Sequence, residues 1–201
     1  MIYSDKHKVV FIAIPKTGTR SVYNTMQKNY GAVLYKEHHN KIPEKYKDYY
    51  SFTIVRNPYD RFISTWWSIF MRDGDLIKGK ASKSIRSCVK GSDIKVFMSW
   101  LLKGNSTNHA ILKKQSDYLN NNFDMILTNE SLNDDFKKLH FINSAHSLPN
   151  INSTTSVWGA NTKARNPDIF TYIDQELLEM INEHYAEDFY NLPQYKQIFE
   201  I

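Results

Sequence analysis

A chain of 201 residues that is 41% hydrophobic, 14% aromatic and 23% charged has apolar side chains enough for a true core, and we expect one domain spanning 1–201. That composition excludes the disordered, collagenous and disulfide-rich classes, and a single cysteine, Cys88, excludes an internal disulfide. The formal charge of +5 hides an asymmetry: from Asp174 onward seven acids face one base, whereas residues 1–173 carry 25 bases against 14 acids, a balance that favours anionic ligands.

The longest apolar run, 9–14, is far below the roughly 20 residues of a membrane span. No cleavage pattern follows Lys6, His7 and Lys8, so a cytoplasmic protein with no membrane partner is expected. Basic helices, zinc spacings and aromatic RNA-binding motifs are missing from the sequence, which argues against nucleic acid as the partner.

In chain order, the β-branched run 9–14 reads as a strand buried on both faces. Pro15 ends it. A turn, Lys16-Thr-Gly-Thr19, leads into a helix over 20–29 with Val22 and Met26 four apart. A second short strand is expected at 32–35 and a third at 51–55, joined by a polar connection that holds His38, His39 and Pro43. Asn57 as a cap, Pro58 in the first turn and Asp60 near the positive end of the dipole start a helix over 58–71, with Phe62, Trp66, Ile69 and Phe70 on one stripe. Residues 72–90, with six bases and two acids, read as a long irregular insertion. Helices are expected at 94–103, 110–119 and 131–139, a strand at 124–128, and a covering surface loop over 143–168, rich in Asn, Ser, Thr and Pro. Leu177, Leu178, Ile181, Tyr185 and Phe189 make the acidic end an amphipathic helix. Strands alternating with helices imply an α/β sheet.

The chemistry concentrates at two strand ends. A helix N-terminus offers unpaired amides and partial positive charge, so the turn 15–19 suits an anion. Lys16 adds a full charge, Gly18 a close approach, and Thr17, Thr19 and Ser21 hydroxyl donors. The order differs from the nucleotide P-loop, G-x-x-x-x-G-K-[ST], because Lys16 precedes Gly18 and no glycine opens the turn. A tight βα turn with an incidental lysine is the competing reading. Arg56, at the end of the third strand, and Ser64, in the helix that follows, form the second constellation. Ligands of open parallel sheets lie off the carboxyl ends of the strands, where both Lys16 and Arg56 stand; pairing of Arg56 with Asp60 is the structural alternative.

At these positions the sequence has a family likeness. Phe11-Ile-Ala-Ile-Pro-Lys-Thr-Gly-Thr-Arg-Ser21 resembles the 5'-phosphosulfate loop of sulfotransferases that use 3'-phosphoadenosine-5'-phosphosulfate (PAPS). Phe52-Thr-Ile-Val-Arg-Asn-Pro-Tyr-Asp-Arg-Phe-Ile-Ser64 resembles their 3'-phosphate element. Gln115-Ser-Asp-Tyr-Leu119, Ile126-Leu-Thr-Asn-Glu-Ser-Leu-Asn-Asp-Asp-Phe136, Leu148-Pro-Asn-Ile-Asn152 and His184-Tyr-Ala-Glu-Asp-Phe189 are similar in the same order, so the likeness spans nearly the whole chain. The carbohydrate-type branch is the nearest in appearance.

The resemblance implies a P-loop-like sulfotransferase fold with a central parallel sheet flanked by helices. It implies an enzyme that moves a sulfuryl group from PAPS to an acceptor hydroxyl, more a saccharide than a steroid or a tyrosine, releasing 3',5'-ADP without a metal. Lys16 would contact the phosphosulfate and act in catalysis; Thr17, Gly18, Thr19, Arg20 and Ser21 would line its loop, and Arg56 and Ser64 would hold the 3'-phosphate. The base would be His39 or its neighbour His38, His39 being favoured because the spacing His39-Asn-Lys-Ile-Pro43 has the family form. Gln115 would hydrogen-bond acceptor or cofactor; Glu130 is an acid after its strand or a cap for the next helix; Lys163 and Arg165 would touch the cofactor from the covering loop. The basic segment 72–90 is an acidic-glycan receptor or a solvated loop, and Trp66, Trp67 and Trp100 are core. His7, His109, His140, His146 and His184 are read as structural. The competing functions are a P-loop kinase that uses nucleotide and magnesium, and a catalytically silent module that binds nucleotide or anions.

Overall fold

The computed structural model describes residues 1–35, 40–71, 80–89, 91–105, 109–143, 146, 148–149 and 172–201. Among them the elements run β1 (Ile2–Ser4), β2 (Val9–Ile12), α1 (Thr19–Tyr30), β3 (Val33–Leu34), a 3-10 turn (Glu44–Tyr46), β4 (Tyr50–Val55), α2 (Pro58–Trp66), a π-helical turn (Trp67–Met71), α3 (Lys80–Cys88), α4 (Ile94–Leu102), α5 (Ser116–Leu119), β5 (Met125–Thr128), α6 (Leu132–Lys137), α7 (Gln175–His184) and α8 (Ala186–Asn191). They fall into two compact units, Met1–Arg56 with Gln115–Arg165, and Asn57–Lys114 with Asn166–Ile201.

The first unit holds a five-stranded sheet of order β3-β1-β2-β4-β5. Its centre is parallel as expected, β2 pairing β4 with Ile12 opposite Thr53, and β4 pairing β5 with Val55 opposite Thr128. The other edge is antiparallel: β1 runs antiparallel to β2 and β3 antiparallel to β1, so the second expected strand lies at an antiparallel edge. β1 is a strand the sequence reading did not include. Its hairpin to β2 carries no glycine, and Lys8 takes the left-handed conformation itself, at φ 51°. All four residues of β2 are fully buried, as the continuous apolar run predicted. Phe11 and Phe52 stack across the parallel pair with centroids 4.8 Å apart, a geometry that contributes about 0.5–1.5 kcal/mol beyond burial. Val22 and Met26 of α1 and Phe136 of α6 join them in one core, which seats both helices on the sheet.

The second unit is helical. Asn57 caps α2 by accepting from the Tyr59 amide, Asp93 caps α4 through Val96, and Asp174 caps α7 through Leu177. Tyr59, Phe62, Trp66, Phe97, Leu101, Leu177 and Ile181 share its core, and Trp67 and Trp100 pack against it, which agrees with a structural role for the three tryptophans. Three expectations change here. Within 72–90, read as an irregular insertion, residues 80–88 form α3. Ile85 of the helix and Val89 just after its end are buried, an apolar pair too narrow to stand out among the bases. The helix expected over 110–119 shrinks to α5, which lies in the first unit, and the Lys113 carbonyl before it accepts from Arg61 Nη2 at 2.6 Å. The acidic terminal helix is two helices, broken at Tyr185 where φ is −102° and ψ 18°. Most of the expected covering loop over 143–168 lies outside the described residues.

Candidate functional site

The parallel strands β2, β4 and β5 end side by side, and the segment leaving each end contributes to one constellation within the first unit. After β2 comes the turn 15–18 and then α1. Lys16 sits at φ 73° and Gly18 at φ 86°, both left-handed. That conformation costs a non-glycine residue about 1–2 kcal/mol, so it persists because neighbours hold it, a pattern concentrated at functional sites. The holders are identifiable. Thr17 Oγ1 donates to the Ile14 carbonyl at 2.9 Å, and with the side chain fully buried the hydroxyl proton serves the turn. Arg56, the first residue after β4, donates from Nη1 to the Lys16 carbonyl at 3.4 Å. Asn129, the first residue after β5, donates from Nδ2 to the Thr17 carbonyl at 3.1 Å.

With the carbonyls of Lys16 and Thr17 drawn toward these side chains, the turn leads into an α1 N-terminus that has no side-chain cap, unlike α2, α4 and α7. Such an end favours negative charge. Gly18 is the cap residue, and a Cβ there would lie 2.7 Å from Asn129 Nδ2 and 3.0 Å from Leu132 Cδ2. Thr19 is half-buried, Arg20 exposed and Ser21 buried.

A second layer fixes the first. The Asn129 amide donates to the Val55 carbonyl at 2.8 Å. The turn behind it is tied by Asp135, whose Oδ2 accepts from the Thr128 amide, Thr128 Oγ1 and Ser131 Oγ, while Lys138 Nζ pairs with Oδ1 at 2.7 Å. Burial pushes the Asp135 carboxyl up, but the bonds from Lys138, Ser131 and Thr128 outweigh it and hold it at about 2. Gln115 does not face open space. It is fully buried, with Oε1 accepting from the Arg56 amide at 2.9 Å and Nε2 donating to the Arg56 carbonyl at 2.8 Å.

The geometry thus brings Lys16, Thr17, Gly18 and Arg56 together. Ser64 is half-buried on α2 of the second unit, and Glu130 is exposed. His38, His39, Lys163 and Arg165 lie outside the described residues. Asn129 is the residue sequence reasoning missed. Its signal was its register: it follows β5 directly, as Arg56 follows β4.

The model of the Sulfotransferase family matches residues 1–195. The chain belongs to the sulfotransferase family. No curated protein and no solved structure matches it. As a member of that family this sulfotransferase is a sulfuryl-group transferase acting on a hydroxyl-bearing acceptor, and its mixed α/β architecture is consistent with that fold. Among the described residues, no helix of the sulfotransferase is long and apolar enough to cross a membrane.

Proposed function

We propose that this sulfotransferase takes its sulfuryl group from PAPS and delivers it to a saccharide hydroxyl, with His39 as the base. The observation that carries the reading is the meeting of Lys16 and Arg56 at adjacent ends of parallel strands, the Arg56 guanidinium reaching the Lys16 carbonyl beside an uncapped helix N-terminus. The donor chemistry fits a doubly anionic nucleotide. A lysine, a guanidinium and backbone amides suit phosphate and sulfate oxygens, and the glycine at the cap keeps side-chain atoms out of the turn.

In this scheme the PAPS molecule supplies an activated sulfuryl group, and the protein aligns and neutralises. Lys16 offsets charge on the leaving 5'-phosphate as the sulfur–oxygen bond to it breaks. The amides of 17–19 steady the peripheral oxygens, and Thr19, Arg20 and Ser21 complete the loop. Arg56 and Ser64 take the 3'-phosphate. His39, or His38 in its place, accepts the acceptor's hydroxyl proton as that oxygen bonds to sulfur, a task suited to imidazole near neutral pH. Alignment and electrostatic stabilisation carry such a transfer.

Isothermal titration with 3',5'-ADP in the absence of magnesium tests the reading. Binding that PAPS displaces competitively is the expected result. Absence of binding, or binding of ATP that requires magnesium, would replace it with the silent-module or kinase reading.

A further inference from the structure

We infer that Gln115 is a positioning residue that sets the Arg56 guanidinium for the 3'-phosphate, an inference that rests on the proposed use of Arg56. The β4–β5 ladder ends where the Asn129 amide meets the Val55 carbonyl. Arg56 is one residue further on, and Gln115, 59 positions away in sequence, takes both its amide and its carbonyl. One planar carboxamide therefore stands in for a neighbouring strand. It holds the N–H and C=O of a single residue at once and so restrains that residue's φ and ψ together.

Gln115 is itself anchored. It is fully buried, its carbonyl accepts from the Tyr118 amide at 2.9 Å, and the buried side chains of Ser116 and Tyr118 follow it in α5. An arginine side chain has four flexible bonds between its backbone and its charge, so freedom at its backbone multiplies at the guanidinium. Fixing the backbone removes that freedom before ligand arrives, which is preorganisation.

A purely structural glutamine would satisfy the same buried groups and affect stability alone. Two ligands separate the roles: 3',5'-ADP, which carries the 3'-phosphate, and adenosine 5'-phosphate, which lacks it. Gln115→Ala and Gln115→Glu are made in the full chain, the second keeping the shape and the acceptor for the Arg56 amide while losing the donor to its carbonyl. Titration is expected to show 3',5'-ADP weakened about tenfold in both variants and adenosine 5'-phosphate unchanged within about twofold, as when one charge-assisted contact loosens. In an Arg56→Ala background, Gln115→Glu is expected to add no further loss for 3',5'-ADP, the signature of two residues acting as one unit. Equal weakening of both ligands, no weakening of either, or full additivity with Arg56→Ala overturns the inference. So does failure of both variants to fold, which makes Gln115 a residue of the fold alone. Wild-type protein that does not bind 3',5'-ADP refutes the proposed function instead, a result read before any variant is made.

Discussion

Gly18→Ala isolates the turn on which the site is built. At φ 86° and ψ 11° an alanine is in the left-handed region, a cost of about 1–2 kcal/mol. Its Cβ would also lie 2.7 Å from Asn129 Nδ2 and 3.0 Å from Leu132 Cδ2, so the Asn129 amide must swing away. That movement abandons the 3.1 Å bond to the Thr17 carbonyl, worth about 1 kcal/mol. The sum, about 2–3 kcal/mol, corresponds to a fall of roughly 4–12 °C in the thermal midpoint for a chain of this size. Urea and thermal denaturation measure it directly. In an Asn129→Ala background the clash with the amide and the bond it gives up are both gone and only the Leu132 contact remains, so Gly18→Ala is expected to cost less there, about 1–2 kcal/mol. A Gly18→Ala protein with the wild-type midpoint, or costs that add fully in the double variant, would refute the view that Asn129 clamps the turn against Gly18.

Lys16→Gly is expected to raise stability by up to about 1 kcal/mol, relief of the left-handed lysine offset by glycine's entropy, while Lys16→Ala gives no such gain; transfer falls at least about 100-fold in both, read by denaturation and by sulfuryl transfer. His39→Ala is expected to lower turnover about 100-fold or more without changing 3',5'-ADP affinity; the same result from His38→Ala instead transfers the role to that neighbour. His184 supplies a pH prediction. Buried, and beside Lys114 and Arg61, it is pushed down to about 4, and its Nε2 has no hydrogen-bond partner among the described residues. The unfolded chain therefore binds a proton that the folded one refuses between about pH 6.5 and 4. Stability is full above that window and declines as pH falls through it, by about 2–4 kcal/mol. His184→Leu is expected to flatten this slope in urea titrations from pH 7 to 4, and an unchanged slope would show that His184 does not cause it.

What the sequence revealed was what a short window contains. The run at 9–14 announced a doubly buried strand, and Asn57 with Pro58 announced a capped helix, because each signal is local. Lys16 and Arg56 were legible as strand-end residues for the same reason. What escaped depends on distant partners. Ile2 and Tyr3 form a strand only because Phe11 and Val10 lie opposite, and α3 is a helix whose buried Ile85, with Val89 just beyond its end, is hidden among lysines and serines. For Gln115 the sequence suggests a bond to acceptor or cofactor, since nothing near it in the chain reveals that Arg56 takes both ends of its carboxamide. Asn129 carries no local signal because its role exists only once β5 lies beside β4 and brings it to Thr17.

In the proposed complex the strand ends at Lys16 and Arg56 grip one nucleotide by its two anionic groups. A crystal structure of the protein with 3',5'-ADP tests this most directly. The expected complex has the 5'-phosphate on the amides of residues 17–19 with Lys16 Nζ in contact, and the 3'-phosphate on the Arg56 guanidinium. Phosphates bound away from the turn, or Lys16 and Arg56 both without contact to the nucleotide, would contradict it.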